Sequence, residues 1–209
     1  MKNLYKYIFV AFVALFSCNS FATPADDAGK YIESLGNSAV ATLTNGKLSK
    51  DQKAAKIEKL FRENVDVPWV GKFVLGRFWK QASAEQQKRY LKEYGTFITE
   101  RYATRFSDYS SGSFKVLGTH DDGDNEFTVN MQIASGKEGS KSILVDYRVR
   151  KGGKNSFSIF DIVVEGVSMI TTQRSEFAGV INSNGMDYLI TQLSKKQVVP
   201  DSKTEEKAD

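Results

Sequence analysis

Few side chains in this chain have the types and spacing that chemistry needs. Asp161 and Glu165 could serve as a carboxylate pair. On a regular strand, however, residues four apart lie roughly 13 Å apart along the axis, too far to act on one small substrate. There is one histidine, His120, and it falls in the acidic, glycine-containing stretch HDDGDN. A serine triad needs a histidine base held firmly by scaffold, so a lone histidine in such a stretch reads as a solvated residue. Metal sites built on histidine or cysteine clusters are excluded by count. DDGDN lacks the length and distal glutamate of a calcium loop. The chain has no phosphate-cradling glycine loop of the usual spacing, and KGGK reads as a hairpin turn. The expectation is therefore no catalytic residue, no metal and no cofactor.

A different set of residues bears on the secondary-structure elements. The stretch FDIVVEGVSMITTQRSEF, Phe160 to Phe177, opens as a strand apolar on both faces, yet carries Asp161. It breaks at Glu165-Gly166 and passes into a helix expected over about 172–183, with Arg174 near its start. On a regular strand Phe160, Ile162 and Val164 share one face, and Ile159, Asp161 and Val163 the other. Asp161 then needs hydrogen-bond donors or a cation, for which Arg174, Arg101 and Arg105 are the candidates. A cation near a helix start opposes the helix dipole, so Arg174 also calls for an anionic partner. Two readings stay open for it, a structural salt bridge and contact with an anionic headgroup.

The 209 residues are 41% hydrophobic, enough for one sizeable core, and include 14 Phe, 9 Tyr and 2 Trp. The net charge of +4 is too weak to argue for nucleic acid. MKNLYKY, the apolar run IFVAFVALF and SFA ending at Ala22 have the form of a cleaved secretory leader over 1–22. LFSC loosely resembles a lipoprotein box, which leaves lipid anchoring at Cys18 as the less favoured alternative. Cys18 is the single cysteine, so a chain cut after Ala22 is exported without a thiol.

Residues 23–197 read as a single α+β domain, followed by a polar, disordered tail over 198–209. Thr23 caps a first helix that Asn45-Gly46 ends. Ser49 to Gln52 and Ser83 to Gln86 are capping boxes for two more. Between them lies the aromatic segment VPWVGKFVLGRFW. On the long helix that follows, Tyr90, Tyr94, Phe97, Ile98 and Tyr102 share a stripe with Arg101 and Arg105. The period then changes to two: 127–133 and 143–149 alternate apolar and polar, and with a short strand before them and the Asp161 strand after them they make an antiparallel four-stranded meander joined by short turns. Two helices close the chain. The cations Lys47 to Arg62, one every three residues, spiral around their helix and read as a solvated surface.

Three segments together resemble the MlaC family of periplasmic phospholipid-binding proteins, also called the toluene-tolerance family. They are VDVPWVGKFVLGRFWKQASAEQQKRYLKEYGTFITERY, VDYRV at Val145 to Val149, and FDIVVEGVSMITTQRSEF with its EGVS and RSEF. The likeness runs from about residue 26 to 195. Phe157 stands where the family usually has Trp, and Gln173 where it often has Tyr. The resemblance implies a curved antiparallel sheet packed by N-terminal and C-terminal helices around an apolar lipid cavity. It implies a carrier moving phospholipid between an outer-membrane lipoprotein complex and an inner-membrane ABC transporter with a periplasmic substrate-binding ring, which maintains outer-membrane asymmetry. Phospholipid would be cargo, with no cofactor and no nucleic acid. On this reading the tails meet Trp69, Phe73, Leu75, Trp79, Phe97, Tyr102, Val145, Tyr147, Phe160, Ile162, Val164, Val167, Met169 and Phe177. Arg101, Arg105, Asp161 and Arg174 serve the headgroup or a structural salt bridge. The rivals are an enzyme on a similar α+β cone and a filled-core periplasmic assembly protein.

Overall fold

The computed structural model describes residues 23–107, 113–134, 142–153 and 156–197, without the side chains of 102–107. The expected leader and tail lie outside these residues.

The helix-start signals at Thr23, Ser49 and Ser83 are local, and they act where expected. Helix α1 (Pro24–Leu43) starts at a reciprocal box: the Asp26 amide donates to Thr23 Oγ1 and the Thr23 amide to Asp26 Oδ2. Asp26 Oδ2 accepts from the Thr23 amide and also from the Thr23 hydroxyl, and these two bonds depress the Asp26 carboxyl below its ordinary value. Ser49 and Gln52 form the same box at α2 (Lys50–Asn64), and Ser83 and Gln86 at α5 (Ala84–Ser107). The aromatic segment becomes two helices, α3 (Val67–Leu75) and α4 (Arg77–Gln81), separated by Gly76 at φ 53°. Only glycine adopts that backbone without strain. Helix α6 (Met169–Asn184) and α7 (Met186–Ser194) meet at Gly185.

The sheet is antiparallel in the order β1-β2-β3-β4-β5, with β1 Ser113–Gly123, β2 Glu126–Ala134, β3 Ile143–Lys151, β4 Phe157–Val164 and β5 Val167–Ser168. It differs from the expected meander by the fifth, two-residue strand. Glu165 and Gly166 both have positive φ, so the chain reverses in two residues and pairs back on β4. HDDGDN is also mostly strand. Asp124 and Asn125, at φ 51° and 62°, form the turn, and His120 pairs opposite Thr128 within the β1–β2 ladder. A two-residue turn needs no more of the chain than that.

Two apolar clusters result. Helix α1 lays Ala28 and Ile32 over one face of the sheet, against Phe127, Val129, Met131, Val145, Tyr147, Val149 and Ile159. The second cluster is helical: Tyr90, Tyr94, Phe97 and Ile98 of α5 pack with α3, α6 and α7. The buried stripe expected on α5 is therefore present as far as its side chains are described. Strand β4 joins the two clusters through a bulge. Arg148 pairs with Asp161 and Val149 with Ile159, which leaves Phe160 as the extra residue. Phe160 and Asp161 consequently share a side, and Phe160 enters the helical cluster while Ile162 and Val164 pack on the sheet cluster. The regular alternation expected from the sequence fails at this one inserted residue.

Candidate functional site

The Asp161 carboxylate is 2% exposed, and its partners explain its place in an apolar strand. Ser168, the N-cap of α6, donates its hydroxyl to Oδ2 at 2.7 Å, while Ser168 Oγ accepts from the Thr171 amide. Oδ1 accepts from the Ile162 amide at 2.8 Å and, more weakly, from the Ile170 amide at 3.3 Å. A buried anion thus sits at the positive end of α6 and holds the cap that starts it. The cation nearest to it is Arg148 across the ladder, at 3.7 Å. Neither Arg174 nor Arg101 takes that position. Helix α6 starts at Met169, earlier than expected, so Arg174 lies in its second turn and points outward. Its guanidinium lies 5.0 Å over the Phe73 ring. Arg101 lies 5.5 Å over Phe97. The side chains of Arg105 and Tyr102 are outside the described residues.

The residues expected to meet lipid tails do not converge on one space. Leu75, Phe97, Phe160 and Phe177 are core members of the helical cluster, with Trp69, Phe73 and Trp79 half-buried at its edge. Phe177 stands edge-on to both Tyr90 and Tyr94, and the Tyr94 hydroxyl donates to Gln173 Oε1 at 2.8 Å. Val145, Tyr147, Ile162 and Val164 belong to the sheet cluster. Val167 is 52% exposed beyond the Glu165-Gly166 turn.

Where the clusters meet there is a cleft of about 30 Å³. Its walls are apolar: Phe61, Val65, Val70, Ile98, Ile159, Phe160, Ile162, Met169 and Ile170, with Tyr94, Asp161 and Gln173 as the polar members. Of the expected tail residues whose side chains are described, Phe160, Ile162 and Met169 line it. The space holds a water molecule or two. Pockets for drug-sized ligands run from about 300 to 1,000 Å³, so the cleft is smaller than those by an order of magnitude.

Sequence reasoning missed Arg148, Ser168 and Gln173. Ser168 was legible, being a capping residue just before MITT. Arg148 and Gln173 carry no local signal, because their partners lie on other elements. Among the described residues no group of three or more His, Cys, Asp or Glu could hold a metal ion. No described helix is long and apolar enough to cross a membrane.

A family model described as MlaC protein matches residues 33–195. The intermembrane phospholipid transport system binding protein MlaC of Haemophilus influenzae is 31% identical over 138 residues. The match covers 65% of this chain and 64% of that protein, just under two thirds of the relative's length. A phospholipid-binding protein from Ralstonia solanacearum, solved in complex with a phospholipid, superposes with a TM-score of 0.69 at 22% identity. That superposition covers 82% of this chain and 97% of the other, and it shows the shared fold.

Proposed function

The chain belongs to the MlaC family, and from that premise we propose that it is a periplasmic phospholipid carrier that delivers lipid between membrane-bound complexes. The observation that carries the reading is the family match over residues 33–195. The relative's own name places it in an intermembrane phospholipid transport system. We extend this to an outer-membrane lipoprotein complex at one end, an inner-membrane ABC transporter at the other, and a role in outer-membrane lipid asymmetry.

The physical chemistry fits such a task. Removing acyl chain from water is worth about 0.8 kcal/mol per methylene, so two ordinary tails represent on the order of 20 kcal/mol. A lipid crosses an aqueous compartment only with both tails covered. The apolar cleft lies where tails would be covered, at the seam between two clusters that share few elements. At about 30 Å³ it takes no tail in this conformation, so loading requires the sheet layer and the helical layer to part along β4. Asp161 is committed to the start of α6, and Glu165 binds the Leu144 amide at the turn. Neither carboxylate is placed for catalysis, which supports a carrier over an enzyme.

Native mass spectrometry of the purified chain, followed by organic extraction, tests the reading. A phospholipid at a substantial fraction of one per chain is expected. Folded, monomeric, lipid-free protein from a phospholipid-rich cell contradicts it.

A further inference from the structure

The corner made by α3, α4 and the outer side of α6 gathers basic side chains among aromatic rings. Lys72, Arg77, Lys80 and Arg174 are all exposed there, and no described carboxylate pairs with any of them. Several cations elsewhere are paired: Arg62 with Glu58, Lys59 with Glu63, Arg148 with Asp161 and Arg150 with Glu126. At the corner, three of the four cations meet half-exposed rings. Lys72 Nζ is 5.6 Å from the Trp79 ring centre, and Arg77 is 4.9 Å from that of Phe78. Arg174 is held on Phe73 and against Gly76, where a Cβ would come within 2.8 Å of Nη2. Lys80 follows Arg77 by three residues, on the same side of α4.

Unanswered cations set among amphipathic rings match the chemistry of a bilayer interface. Indole and phenyl edges settle at headgroup depth, and ammonium and guanidinium groups meet phosphates. We propose that this corner docks the protein on the headgroup layer of an anionic phospholipid bilayer. An exposed Lys or Arg near such a surface contributes about a fivefold gain in binding, and three together about a hundredfold. The attraction falls with salt, since it acts within a Debye length. This surface is separate from the cleft, so docking and cargo are independent properties.

Co-sedimentation of the whole chain with vesicles of phosphatidylcholine, alone or mixed with phosphatidylglycerol, tests the proposal. The parent is expected to bind the mixed vesicles and to release them in salt. Combining Lys72→Gln, Arg77→Gln and Lys80→Gln is expected to weaken that binding about a hundredfold. The triple variant should keep the parent's thermal unfolding and its co-purified phospholipid. Matched neutralisation of Lys50, Lys56 and Lys59 on α2 is expected to change binding only a few-fold. Equal losses from the two triple variants would reduce the effect to net charge and overturn the proposal. So would indifference to phosphatidylglycerol. Loss of binding to an acidic protein partner with vesicle binding unchanged would assign the corner to that partner and overturn it too. Vesicle binding by protein without cargo supports docking while refuting the carrier reading. Cargo without vesicle binding does the reverse.

Discussion

Replacing Asp161 with alanine separates an ion pair from a helix cap. The change removes the acceptor for the Ile162 and Ile170 amides and for the Ser168 hydroxyl, in a site 2% exposed. Each amide left without its acceptor costs about 1 kcal/mol or somewhat more, and the loosened cap about 1 more. Arg148 is 38% exposed at 3.7 Å, so its pairing is largely screened and is worth about 0–1 kcal/mol. The expected loss for Asp161→Ala is about 3–5 kcal/mol. Asp161→Asn keeps one acceptor and a polar group facing Ser168, and should lose about 1–2 kcal/mol. Arg148→Gln should lose less than about 1 kcal/mol. Urea unfolding followed by circular dichroism reads all three. With a slope of about 1–3 kcal/mol per molar, Asp161→Ala should lower the midpoint by more than about 1 M. If Arg148→Gln costs as much as Asp161→Ala, the pair dominates and the capping account fails.

Further outcomes follow from other sites. Val145, 3% exposed beneath α1, should accept a tryptophan only with overpacking of about 1–3 kcal/mol in lipid-free protein and with reduced phospholipid retention. Leu144→Trp, at a position 50% exposed, should unfold with the parent, and parallel thermal melts and lipid extraction check both. Gly76→Ala forces a side chain onto φ 53° and should cost about 1–3 kcal/mol. Adding Arg174→Ala should not recover that loss in denaturant titration, because backbone strain dominates it. Burial pushes the Tyr147 hydroxyl up to about 12 from its ordinary 10. The neutral phenol is thus favoured in the fold, so its stabilisation is complete below pH 10 and is lost as pH rises toward 12. Against Tyr147→Phe, the parent should lose about 2–3 kcal/mol across that window, read by unfolding at a series of alkaline pH values.

The sequence by itself determined the features that close within a few residues. The three capping boxes at Thr23, Ser49 and Ser83 bind donors three positions away, so composition and spacing suffice to place them. The α5 stripe and the alternation of β2 and β3 follow from helix and strand periodicity, and the order of motifs pointed to the family. The tertiary structure decided what depends on register and on contacts between distant segments. Asp161 was legible as a buried acid, but its partners are Ser168 on the far side of a turn and Arg148 on the neighbouring strand. A single inserted residue at Phe160 turns one side chain into the helical cluster and divides a set of residues that appeared to share a face. No short-range pattern encodes a bulge, because it is set by how β3 and β4 pair. The same holds for Arg174: its sequence position left a structural salt bridge and contact with a headgroup both open, and packing of α6 against the α3–α4 turn placed it outside on Phe73.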